Sequence, residues 1–140
     1  MLIVVPGVPE PKGSVKLIRR GAHNVPIMGG SFAGHERLKE WAFRVASYAR
    51  RAMAVNAILE PQDGPLAVDV AFYLPRPPSA PKRRIHALTR PDLDKLLRGA
   101  LDPLKGIVIV EDSRIVSASC RKLYAGPDDP PGATIHVWSV

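Results

Sequence analysis

The sequence predicts an α+β fold: a single domain over residues 1–140, built on a mixed β-sheet with two main helices on one face, in the order β-α-β-α-β-β. Two observations predict it. The chain has 140 residues, 46% of them hydrophobic and 24% charged, which suits one ordinary core and leaves little room for a second. Two segments repeat apolar residues at helical spacing, while four others are short apolar or alternating runs bounded by Pro and Gly.

Leu2 to Val5 is an apolar run ended by Pro6-Gly7 and reads as a buried strand. Residues 8–30 are rich in Pro, Gly and basic side chains. They read as a long loop with a short hairpin around 15–18 and 24–28, and a loop of that length in a compact domain is usually functional. Ser31 opens the first helix, with Gly29-Gly30 as its approach. Leu38, Trp41, Ala42, Val45, Ala49 and Met53 follow the i, i+3, i+4, i+7 rule, so Trp41 reads as a core anchor. Pro61 to Pro65 interrupts. Leu66, Val68, Val70, Phe72 and Leu74 then alternate with Ala67, Asp69, Ala71 and Tyr73, the pattern of a half-buried strand. The second helix spans about Leu93 to Lys105. Pro103 inside it predicts a kink or a tightened last turn, and Gly106 a stop. Ile107 to Val110 is a short extended run and Glu111-Asp112-Ser113 a turn. Arg114 to Tyr124 is a strand, 126–132 a hairpin-like loop, and Thr134 to Val140 the last strand.

The chain carries 20 Lys and Arg against 13 Asp and Glu, a net charge of +7. Part of the excess is clustered in Arg76, Lys82, Arg83, Arg84, Arg90, Lys95 and Arg98, and part in Lys12, Lys16, Arg19 and Arg20. Such clusters can neutralise phosphates and release their counterions, although a solvated loop face would look the same. No apolar run reaches the ~20 residues of a membrane helix, and the N-terminus has no charged signal region, so a cytoplasmic location is expected, with no membrane partner. The single Cys120 excludes a cysteine-based zinc cluster and reads as a small buried hydrophobe. His23, His35, His86 and His136 form no metalloprotease or deaminase pattern, and neither a P-loop nor a GxSxG elbow is present.

Three carboxylates remain: Asp92 and Asp94 at the start of the second helix, and Asp112 beyond it. Positions i and i+2 do not share a helix face, so Asp92 and Asp94 converge only if Asp92 precedes the helix, which Pro91 favours. Asp112 must then fold back beside them. Together they could hold Mg²⁺, which prefers a few carboxylates plus waters and can activate water against a phosphodiester. The bland alternative is an N-cap, a first-turn acid and a turn residue. Spacing alone leaves both readings open and favours the second.

The stretch Arg90-Pro91-Asp92-Leu93-Asp94-Lys95-Leu96-Leu97-Arg98, with Asp102, followed by Glu111-Asp112-Ser113-Arg114-Ile115 and Lys122, resembles the RusA family of Holliday-junction resolvases. Val5-Pro6-Gly7-Val8-Pro9 through Gly13 is similar to that family's Gly- and Pro-rich opening turn. The resemblance implies a structure-specific endodeoxyribonuclease, a symmetric homodimer, that resolves four-way or other branched DNA by paired nicks in recombination and repair. It implies Mg²⁺, with Mn²⁺ as a substitute, on Asp92, Asp94 and Asp112. Arg98 falls where the family has its catalytic lysine, Lys95 where it has Asn, and Glu111 where it has Asp. Arg98 keeps the charge but is forked and always protonated, so it suits phosphate stabilisation better than proton transfer. Lys12, Lys16, Lys82, Arg83 and Arg84, with Arg90, Lys95 and Lys122, would contact the nucleic acid. The alternative is a non-catalytic branched-DNA- or RNA-binding module that retains the fold, which would have no need of the carboxylate trio.

Overall fold

The computed structural model describes residues 1–13, 15–28 and 31–140, the side chains of 15–18 and 25–28 excepted. The elements are β1 (Leu2–Pro6), β2 (Val15–Arg20), β3 (His23–Met28), α1 (Phe32–Val55), β4 (Leu66–Leu74), α2 (Leu93–Leu101), β5 (Ile115–Tyr124) and β6 (Gly132–Ser139), with 3₁₀ turns at Asp102–Leu104 and Asp112–Arg114. The fold is α+β with a mixed sheet and two helices, as expected. The hairpin in the long N-terminal loop is a separate two-stranded sheet of β2 and β3, turning at Gly21, whose φ of +63° suits glycine.

The main sheet runs in the order β1-β6-β4-β5. β4 and β5 are parallel, and the other pairs are antiparallel. A parallel pair needs a crossover, and α2 supplies it. The order corrects one expectation. The link at 126–132 does not close a hairpin, because β4 lies between β5 and β6. Strands sit about 4.8 Å apart, so a link of this length spans the two-strand step easily. Ala125 N–H bonds the Leu74 carbonyl (2.7 Å) and Gly7 N–H the Pro131 carbonyl (3.0 Å), pinning both ends of the crossing.

β4 is also more buried than its alternation implies. Leu66, Val68, Val70, Phe72 and Leu74 face the helices. On the other face Ala67 and Ala71 are 4% and 3% exposed, although no helix covers them. They are small side chains on a central strand, so their larger neighbours on β5 and β6 shade them.

Both helices pack on one face and share one core. Trp41, Val45, Ala49 and Met53 of α1 and Leu96 and Ala100 of α2 meet Ile3, Val5, Val68, Phe72, Ile135 and Val137. The Ser31 side chain caps α1 by accepting the Gly34 N–H (3.0 Å); the approaching Gly29-Gly30 lies outside the described residues. α2 ends at Leu101, and Pro103 turns the remainder into the Asp102–Leu104 3₁₀ turn. Pro103 has no N–H to continue the α ladder. Gly106 follows with φ +76°. Residues 107–110 form a turn, with Ile109 bridged to Gln62 and to Lys105, where an extended run was expected. The Leu104 carbonyl holds the N–H groups of Val108 (2.9 Å) and Ile109 (3.3 Å) and keeps the segment curled.

Among the described residues nothing covers Leu2 and Val4 on the opposite sheet face. Leu2 and Val4 are 55% and 58% exposed, beside His136 and Trp138 of β6. Asp69 lies on this face between Ser119, which donates a hydrogen bond to it, and Arg121 (3.1 Å). These contacts, that of Ser119 first, hold the Asp69 carboxyl below its ordinary value.

Candidate functional site

Asp92 occupies the N-cap of α2 with extended backbone (φ −71°, ψ 142°), and Asp94 lies in the first turn. The helix begins there because Pro91 cannot donate to a preceding turn and Leu93, Leu96 and Ala100 supply the inward stripe. Asp92 stands where a capping carboxylate would stand, yet its side chain makes no capping hydrogen bond. It faces the Lys95 ammonium at 3.4 Å. Among the described residues Asp94 and Asp112 have no hydrogen-bond or ion-pair partner, and all three aspartates are exposed.

Asp112 opens the 3₁₀ turn ahead of β5. It lines an open cavity of about 750 Å³ with Arg98, Lys12, Leu101, Asp102 and Lys105. The structure thus places Asp112 and Arg98 on one cavity. It does not gather the three aspartates: among the described residues no three Asp, Glu, His or Cys side chains form a metal-sized group. Topology supplies the reason. α2 runs back from the carboxyl end of β4 to the amino end of β5, so Asp92 and Asp112 flank opposite ends of a nine-residue helix roughly 13 Å long. Like charges without a cation between them also repel, and the neighbouring acids have taken basic partners: Asp102 pairs with Lys12, and Glu111 with Lys105 at 2.7 Å. The Glu111 carboxylate accordingly holds the Lys105 ammonium above its ordinary pKa.

The donor set still suits a hard cation. Asp92 and Asp94 offer carboxylates that cap no helix N–H, Asp92 being met, among the described residues, only by Lys95, and Mg²⁺ needs only one or two protein carboxylates when waters and phosphate complete its shell.

The basic residues divide. Lys82, Arg83, Arg84 and Arg90 are exposed on the loop that follows β4. Arg76 holds that loop together by donating to the carbonyls of Pro81 (2.8 Å) and Arg84 (2.6 Å). Lys12 is spent on Asp102 and Lys95 on Asp92. Lys122 donates to the carbonyls of Thr89 (2.6 Å) and Pro91 (2.8 Å), fixing the approach to Asp92. The Lys16 side chain lies outside the described residues. Cys120, half-buried on β5, has its thiol pushed up by burial and by Asp69 and Asp94.

The N-terminal loop packs on α2 at Gly99. Lys12 N–H bonds the Lys95 carbonyl (2.9 Å), and a Cβ at Gly99 would stand 2.4 Å from the Glu10 carbonyl oxygen. Glu10 pairs with Arg37 at 3.3 Å; burial pushes its carboxyl up, and Arg37 offsets part of that. Beside it lies the larger cavity, about 870 Å³, between this loop, the start of α1, the ends of β4 and β5, and Asp92. Glu10, Arg37 and Tyr124 around it carry no sequence signal beyond Glu10 standing between two prolines.

A basic α+β domain, with exposed carboxylates at a helix entrance amid Lys and Arg, belongs to a class with the charge and donors suited to a phosphodiester backbone. The comparisons make the class particular. A model of the endodeoxyribonuclease RusA family matches residues 6–137, and the chain belongs to that family. Membership marks it as an endodeoxyribonuclease, a phosphodiester hydrolase of the Holliday-junction-resolvase kind. The chain is also similar to the uncharacterized protein YqaN of Bacillus subtilis (strain 168), at 31% identity over 126 residues, 83% of this chain and 79% of that protein. Among the described residues no helix is long and apolar enough to cross a membrane.

Proposed function

We propose that the protein resolves four-way DNA junctions by paired symmetric nicks, in recombination and repair, as a homodimer using Mg²⁺, or Mn²⁺ in its place. The observation that carries the reading is Asp92: it holds the N-cap position while its carboxylate caps nothing and, among the described residues, meets only the Lys95 ammonium at 3.4 Å, a partner that a bound cation would replace. Asp92 and Asp94 would hold the ion at the helix entrance, with waters and the phosphate completing its shell, and Asp112, the third carboxylate of the family pattern, would act from the far end of α2 on the cavity it shares with Arg98. A bound divalent ion there supplies charge for the phosphate and lowers the pKa of a water. The entrance of α2 attracts the scissile phosphate through its N–H groups. Arg98 stabilises charge on the phosphate with a planar fork that does not shuttle protons. Arg90 and the exposed Lys82, Arg83 and Arg84 grip the flanking backbone, with Lys12, Lys16 and Lys95 nearby. Lys122 serves by holding the Thr89–Pro91 segment. Two symmetric copies would present two equal sites, and the exposed sheet face with Leu2, Val4 and Trp138 is the apolar surface suited to join them.

The test uses a synthetic four-way junction with wild type and Asp94→Asn, in Mg²⁺ or EDTA. Symmetric nicks are expected only from wild type with Mg²⁺, while Asp94→Asn still binds. Equal cutting by Asp94→Asn would refute the site, and binding without cutting by wild type would favour a non-catalytic branched-DNA- or RNA-binding module. A salt titration should show log affinity falling linearly with log salt, at about 0.9 per phosphate contacted.

A further inference from the structure

We propose that Asp63, in the loop between α1 and β4, is a positioning residue for junction cutting: through Arg114 it fixes the turn that carries Asp112. The inference rests on the junction-cutting reading and names what sets the Asp112 carboxylate in place. Asp112 opens the three-residue 3₁₀ turn Asp112–Arg114 and has no partner of its own among the described residues. The turn holds itself by Arg114 N–H on the Glu111 carbonyl (3.0 Å) and Ile115 N–H on the Asp112 carbonyl. Its direction is set from outside. Gln62 N–H bonds the Val108 carbonyl (2.8 Å), and Val110 N–H bonds the Gln62 carbonyl (3.1 Å), so the approach to Glu111 lies along the 61–65 loop. Glu111 pairs with Lys105 at 2.7 Å on one side of Asp112. On the other side the Arg114 guanidinium donates to Asp63, the next residue of the same loop.

A second feature lies directly beyond the turn. Leu66 pairs with Ile115 and Ala67 with Ser117, so Val116 has no partner on β4 and stands 62% exposed. Bulges are rare in parallel pairs, and they gather beside active sites, where they re-aim a side chain. Regular register begins only at Ser117, so the ladder alone does not fix residues 112–114. The Asp63–Arg114 pair ties the approach to β4 to the approach to β5 just ahead of that bulge. Both side chains reach the surface, 58% and 41% exposed, and pairs of that kind add little to global stability. The effect of this one is local: it decides where Asp112 stands in the cavity it shares with Arg98.

The test compares wild type with Asp63→Asn, Asp63→Glu, Arg114→Gln and the double variant of Asp63→Asn with Arg114→Gln. It reads kcat for a four-way junction in Mg²⁺, Kd for the same junction in EDTA, and Tm. Asp63→Asn is expected to lower kcat roughly three- to tenfold, because a small misplacement at a reacting site is expensive, while Kd stays within about twofold of wild type. Tm should stay within about 3 °C. Asp63→Glu, which still reaches the guanidinium, should recover most of the lost kcat. Since the two residues act as one, Arg114→Gln should match Asp63→Asn, and the double variant should be no slower than either single change. An unchanged kcat in Asp63→Asn, losses that multiply in the double variant, or no recovery in Asp63→Glu would overturn the inference while junction cutting stands. A weaker Kd in Arg114→Gln but not in Asp63→Asn would assign Arg114 to the DNA backbone and overturn it as well. Failure of wild type to cut the junction would overturn the functional reading and this inference with it.

Discussion

Gly99→Ala sets two physical effects against each other. Helix propensity favours Ala over Gly by about 0.8–1 kcal/mol in a helix interior, so the intrinsic preference of α2 predicts a more stable protein. Packing predicts the reverse. The new methyl would stand 2.4 Å from the Glu10 carbonyl oxygen and 3.3 Å from the Lys12 amide nitrogen, and backbone atoms cannot swing aside as a side-chain tip can. Relief requires lifting residues 10–12 off α2, which breaks the hydrogen bond from Lys12 N–H to the Lys95 carbonyl and loosens the Lys12–Asp102 pair. Overpacking costs about 1–3 kcal/mol and the lost hydrogen bond about 1 kcal/mol. After the propensity gain, a net loss of about 1–3 kcal/mol remains. At about 3 °C per kcal/mol for a chain of this size, Tm should fall by roughly 3–9 °C. Thermal unfolding followed by circular dichroism measures it directly. A rise of 2–3 °C would mean that the loop does not ride on α2, and the account of how Glu10 and Lys12 are positioned would be refuted.

Three further outcomes follow from other contacts. Lys122→Met should free the Thr89 and Pro91 carbonyls and misplace Asp92, lowering kcat for junction cutting by at least tenfold with less effect on Kd; an unchanged kcat would show that the tether is idle. Asp69→Asn should lower Tm at pH 7 but not in strong acid. The Asp69 pKa is depressed in the folded chain, so its stabilisation is present above the ordinary value of 3.8 and is lost as pH falls through the depressed one; a Tm difference that persists at low pH would contradict this. Val4→Asp should shift sedimentation velocity from dimer to monomer if the exposed sheet face joins two copies, whereas an unshifted dimer would place the interface elsewhere.

Local pattern revealed what depends on neighbours along the chain. The α1 stripe, Ser31 as a cap, the Pro103 turn and Asp92 ahead of α2 all follow from spacing, capping and the missing proline N–H. Sheet order does not, because pairing is decided between distant segments. The link after β5 looks like a hairpin in sequence, yet Ala133, Ile135 and Val137 gain more by sealing the core between β1 and β4. Lys12 and Lys122 looked like two more phosphate contacts, and only folding shows that Asp102 and two loop carbonyls have claimed them. The grouping of Glu10, Arg37 and Tyr124 around one cavity had no signal, since these residues are far apart in the chain. The three aspartates were visible as residues; their separation by the length of α2 was not.

The position of β6 also governs how the chain reaches its folded state. β6 is synthesised after the strands it joins and is an interior one, lying between β1 and β4, with the Met1 ammonium bonded to the Val137 carbonyl at 2.6 Å. Until residues 132–139 emerge, β1 has no partner, and the N-terminal loop that rides on α2 has no anchored base. Contacts so distant in sequence close late and slowly. A nascent chain that lacks β6 therefore cannot assemble the loop, the helix entrance and the cavity together.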